Sequence, residues 1–140
     1  MENTDKNYET HPLFPSGEWE GFYTYPAPFS GHKGTMSFYL LFHNATVEGE
    51  GMDEVGKFVW KGSYNTQLMT CQITKYYYGK HSVHYNGQVD ENGIWGNWRI
   101  VGDWNGGFHI WPKTQAQEAM NTAIESLLEE SDKITVPVRQ

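Results

Sequence analysis

Cysteine is almost missing from this chain. Its single instance, Cys71, has no partner for an internal disulfide, so the fold must rest on its core. A lone thiol also suits a reducing, cytoplasmic compartment. Positive charge is scarce. Ten Lys and Arg face seventeen Asp and Glu, for a formal net charge of −7, which argues against nucleic-acid binding by phosphate neutralisation. No apolar run reaches the ~18 residues of a helical membrane span, and Met1–Ser16 lack the apolar stretch of a secretory leader. Metal-binding spacings are missing too. There is no H-x-H, HExxH or CxxC, and His81 and His84 lie three apart, on opposite faces of a strand. No Walker loop or nucleophile elbow occurs. The sequence implies no metal, no cofactor, no nucleic-acid partner and no membrane.

Rings and glycines are plentiful. Aromatics make up 16% of the 140 residues, and 15 residues are glycine. That is ample apolar area for one folded domain. Of 22 aromatics, 20 fall between Gly17 and Pro112, which marks residues 16–112 as the folded body. Residues 1–15 read as a loosely held lead-in and 132–140 as a tail.

Within the body, short alternating runs are separated by turn signals. Eight strands are expected, near Glu18–Tyr25, Thr35–His43, Thr46–Glu50, Lys57–Tyr64, Leu68–Tyr77, His81–Val89, Ile94–Val101 and Gly107–Trp111. Asn92-Gly93 and Asn105-Gly106 suit hairpin turns. Short connections favour an eight-stranded antiparallel up-and-down β-barrel over a Greek-key sandwich. After Pro112 the period changes. Ala116, Ala119, Met120, Ala123, Ile124, Leu127 and Leu128 recur at helical steps. This predicts a C-terminal amphipathic α-helix within 113–131, packed outside the barrel. Its apolar stripe would cover the outward patch of Phe22, Tyr39, Leu41, Trp95 and Trp111; alternatively, patch or helix forms a dimer interface.

Strand parity assigns the lumen. One parity carries Trp19, Tyr23, Phe38, Phe58, Trp60, Lys75, Tyr77, Tyr85, Trp98 and Phe108; the other carries Glu18, Glu20, Glu48, Lys57, Lys61 and Arg99. The first set faces inward. Gly21, Gly49, Gly62, Gly87 and Gly96 share that parity. They either let strands coil and rings pack over bare backbone, or make room for a ligand.

Gly17-Glu18-Trp19, a G-x-W opening the first strand, together with a long first loop and eight strands, resembles the calycins: lipocalins, fatty-acid-binding proteins and avidins. The resemblance implies such a barrel and a general habit of binding small ligands. In lipocalins a basic residue follows the last strand and lies over the tryptophan; Lys113 would stand in here. The secretion signal and disulfide usual in lipocalins are missing from the pattern.

The candidate ligand-binding residues are Tyr23, Phe58, Trp60, Lys75, Tyr77, His81, Tyr85, Trp98, Trp104 and Phe108. Lys75 is the only formally charged lumen residue. It either anchors an acidic group of the ligand, or snorkels into solvent at the rim, or pairs with Asp53 or Glu54. The function expected is binding of a small, largely apolar or aromatic molecule by a monomer or homodimer. A filled barrel acting as an interaction module is the alternative. A barrel enzyme using Tyr85, Lys75 and His81 is the third, with no residue pairing in the sequence to support it.

Overall fold

The computed structural model describes residues 8–29, 31–102 and 104–113. Eight strands follow one another: β1 (Gly17–Thr24), β2 (Lys33–His43), β3 (Thr46–Asp53), β4 (Lys57–Asn65), β5 (Thr70–Tyr77), β6 (Ser82–Asp90), β7 (Gly93–Arg99) and β8 (Asn105–Pro112). Each pairs antiparallel with the next, and β8 pairs antiparallel with β1, closing the cylinder. No strand is left with a free edge to recruit another chain. The C-terminal helix expected from the sequence lies outside the described residues.

Alternation decides which side is wet. Trp19, Trp60, Leu40, Phe42, Ile94 and Ile110 have no exposed surface, whereas Lys57 and Lys61 are exposed. Burying each large side chain contributes about 1.5–3 kcal/mol. The rings meet mostly edge to face, as at Trp60–Tyr85 (5.0 Å, 81°) and Tyr85–Phe108 (4.8 Å, 77°), the geometry their quadrupoles prefer.

The inward glycines do not make room for a ligand. A Cβ on Gly21, Gly49, Gly62 or Gly96 would run into backbone of the adjacent strand, and one on Gly87 would meet Ile94 and Phe108. They allow tight coiling and close strand approach, so the ligand-space reading of these five positions is corrected.

Two boundaries differ from the sequence reading in ways that matter. β3 continues past Glu50 to Asp53, which pairs with Met36 of β2. Gly49, Gly51 and Asp53 therefore continue the inward parity of Val47. β5 begins later than Leu68, because Met69 takes a positive φ of 57° and closes a turn onto the Asn65 carbonyl.

Residues 8–16 cover one end of the barrel. Phe14 has no exposed surface and packs on Phe42 (5.6 Å) and Tyr64 (4.9 Å). The Glu9 amide donates to the Phe42 carbonyl at 2.8 Å, and Tyr8 bridges to His43. Trp19 Nε1 donates to the Pro15 carbonyl at 2.9 Å. This stretch is held more closely than its polar composition suggests.

Candidate functional site

The opposite end is open. The loops β1–β2, β3–β4, β5–β6 and β7–β8 gather there, as an up-and-down meander requires. Between them sits a cavity of about 180 Å³ lined by Tyr23, Tyr25, Val55, Tyr77, His81, Val83, Tyr85, Trp98, Ile100 and Trp104. An apolar cavity of about 150 Å³ holds a benzene molecule, so this space suits one ring with a short substituent.

Six of the ten sequence candidates meet at this cavity: Tyr23, Tyr77, His81, Tyr85, Trp98 and Trp104. Four do not border it. Phe58, Trp60 and Phe108 are packed in the core, and Lys75 is sealed with no exposed surface. Tyr25, Val55, Val83 and Ile100 are additions. Tyr25 and Ile100 share the inward parity near the mouth; Val55 sits in the β3–β4 loop, where no periodicity applies.

Two glycines seat two of the cavity rings. Gly34 is paired with Tyr23 and Gly106 with Trp98. A Cβ at Gly34 would overlap the Tyr23 ring; at Gly106 it would meet the Trp98 indole and the Thr24 carbonyl. Trp98 is fixed further by Nε1 donating to the Thr24 carbonyl at 2.9 Å. Trp104 stands over the mouth, 6.3 Å from Tyr25 and 6.0 Å from Phe29.

Beneath the mouth lies a closed polar knot. The Lys75 ammonium donates to Asp53 Oδ2 at 2.6 Å, to the Tyr77 hydroxyl at 3.2 Å and to Met36 Sδ at 3.2 Å. The Tyr77 hydroxyl in turn donates to Asp53 at 2.5 Å. Both charged side chains are fully buried. The rings of Tyr23, Phe58 and Tyr85 stand 4.6–5.2 Å from the ammonium nitrogen, adding cation–π attraction. All three ammonium protons are thus occupied. Burial pulls the Lys75 pKa down to about 8, with Asp53 opposing the shift. The anchor reading of Lys75 is therefore corrected: its charge is spent on Asp53 and faces no open space.

A second carboxylate lies at the rim. Glu54 accepts from the Tyr25 hydroxyl at 2.7 Å and from Tyr23 at 3.4 Å, and His32 Nε2 approaches it at 3.3 Å. The Tyr25 hydrogen bond is the main cause holding the Glu54 pKa below the ordinary carboxylate value. Burial raises the pKa of Tyr23, Tyr25, Tyr77 and Tyr85, so all four stay neutral phenols at physiological pH. Among the described residues, the Tyr85 hydroxyl makes no hydrogen bond within the protein, and no three His, Cys, Asp or Glu side chains gather as a metal site would require.

Compared with known protein families, curated proteins and solved structures, the chain matches none. The geometry of the mouth therefore carries the functional argument alone. It offers stacking surfaces, one rim carboxylate and a neutral hydroxyl.

Proposed function

We propose that the protein binds a small apolar or aromatic ligand, of about one ring, at the open mouth of a calycin-like barrel. The observation that carries this reading is the 180 Å³ cavity walled by Tyr23, Tyr25, Tyr77, Tyr85, Trp98 and Trp104. Concave, aromatic-lined spaces with few polar groups are the usual seats of such ligands. Two features support the calycin likeness. Gly17 opens β1 at φ 139° with Trp19 buried behind it, and Lys113 borders the same shallow outer hollow as Trp19. The lone thiol of Cys71, buried and with its pKa pushed up to about 12 by burial, fits a reducing compartment.

The test is titration of single-ring compounds followed by amide NMR. Shifts are expected at Val55, Val83, Ile100 and Trp104, and a Tyr85→Trp variant, which fills the space, is expected to lose them. Shifts scattered over the surface, or none, would overturn the reading.

One observation favours a second reading, that of an interaction module. Below the mouth Phe58, Trp60 and Phe108 are buried in the core, while outside the barrel Phe22 meets Trp111 at 6.1 Å and His109 at 6.2 Å in an aromatic cluster. On this reading the segment after Lys113, or a second copy of the chain, covers that cluster. A dimer in light scattering that Leu127→Glu dissolves would favour it.

A further inference from the structure

The polar ends of the cavity rings are not left for a ligand. Tyr23 and Tyr25 donate to Glu54, Tyr77 donates to Asp53, and Trp98 donates to Thr24. What these four residues present to the space is ring surface, whose π-faces are electron-rich. Around them the formal charges do not cancel. Asp53 is neutralised by Lys75, whereas Glu54 has only neutral phenols and His32 beside it. Its depressed pKa keeps it ionised. Neither Glu54 nor Lys80, the cation of the β5–β6 loop that lies near Gly56, borders the cavity itself; Glu54 reaches it through the hydroxyls of Tyr23 and Tyr25, which do. A molecule entering this mouth therefore meets aromatic rings backed by a carboxylate that, among the described residues, pairs with His32 and with no Lys or Arg, on a protein of net charge −7. Aromatic faces converging beside a carboxylate attract an organic cation by cation–π and Coulomb forces together.

We propose that the ligand of this cavity is a small organic ammonium, an aryl- or alkylamine whose apolar part fills the ring-lined space while its charge sits among Tyr23, Tyr25 and Trp104 near Glu54. This rests on the cavity reading above and deepens it. It also reverses the sign of charge expected while Lys75 counted as a free anchor. Recognition is by charge and shape, with no bond made or broken.

Three compounds of matched size separate the possibilities: phenethylamine, phenethyl alcohol and phenylacetate, titrated calorimetrically into the full chain at neutral pH. The amine is expected to bind about tenfold tighter than the alcohol, a difference of about 1.4 kcal/mol. Phenylacetate is expected to bind more weakly than either. Glu54→Gln, which keeps an acceptor for Tyr25, is expected to bring the amine down to the level of the alcohol measured on the same variant. High salt is expected to narrow the gap. Equal binding of all three, or tightest binding of phenylacetate, would overturn the ammonium proposal and leave the cavity reading standing. Failure of all three to bind would overturn both. An amine preference that survives Glu54→Gln unchanged would remove the carboxylate from the argument and defeat the proposal as stated.

Discussion

Lys75 shows how far a single residue's meaning depends on one neighbour. Inward parity made it conspicuous, and the sequence left three fates open: ligand anchor, solvent-seeking at the rim, or ion pair. The ion pair prevails because Asp53 shares the lumen, and that followed from letting β3 run on through Gly49 and Gly51. Glycine weakens a strand signal, so the run read as ending at Glu50 and Asp53 read as loop. Lys75→Met is expected to cost about 3–5 kcal/mol in chemical denaturation, since it strands a buried carboxylate. Lys75→Met/Asp53→Asn is expected to recover much of that loss; a double variant no better than the single one would show that packing, not charge, holds the site. The pH dependence has a definite sign. Lys75 has a folded pKa near 8 against its ordinary 10.5, so the unfolded chain binds more protons between those values. The penalty for burying the charge is full below about pH 8 and gone above about 10.5. The stability gap between the native protein and Lys75→Met should therefore widen as pH rises through this window. A constant gap would contradict it.

Among the elements, the segment before β1 was the least legible. Its polar residues and two prolines gave no period to read. Its hold on the barrel comes from scattered contacts: one phenylalanine, one β-bridge and the Glu9–Tyr64 hydrogen bond of 2.8 Å. Phe14→Ala is expected to destabilise by about 3–5 kcal/mol, measured by thermal or urea unfolding; a change well under 1 kcal/mol would mean that the barrel end closes without it. The Tyr64 hydroxyl is the main cause of the lowered Glu9 pKa. That contribution is present above the ordinary carboxylate pKa and lost as pH falls through the folded value. Tyr64→Phe should thus lose less stability than the native protein between neutral pH and pH 3. The strands themselves were readable where rings and β-branched residues alternate, as in Phe58–Trp60 and Ile94–Trp98. Their ends were not: Met69 is placed by a hydrogen bond that leaves no periodic trace, and Asp53 follows two glycines that weaken the strand signal.

For the molecule as a whole, strand count, pairing order and the wet side of each strand were all present in the alternation of side chains. The division of the lumen into a solid floor and a small open mouth was not. That division depends on whether Phe58, Trp60 and Phe108 stack tightly enough to exclude space, a matter of angstroms that parity does not encode. A cylinder with every strand paired on both sides offers no subset of strands that can leave alone. Unfolding is expected as one transition, with tryptophan fluorescence and far-ultraviolet circular dichroism giving coincident curves; separated curves would mean that part of the wall opens independently. The plug of Phe14 has a further outcome. The chain arrives at the stoppered floor, while the cavity faces away at the rim. Cargo fused ahead of Tyr8 would hang from the base and leave the doorway clear, whereas anything clasping the rim at Phe29 and Trp104 would act as a cork.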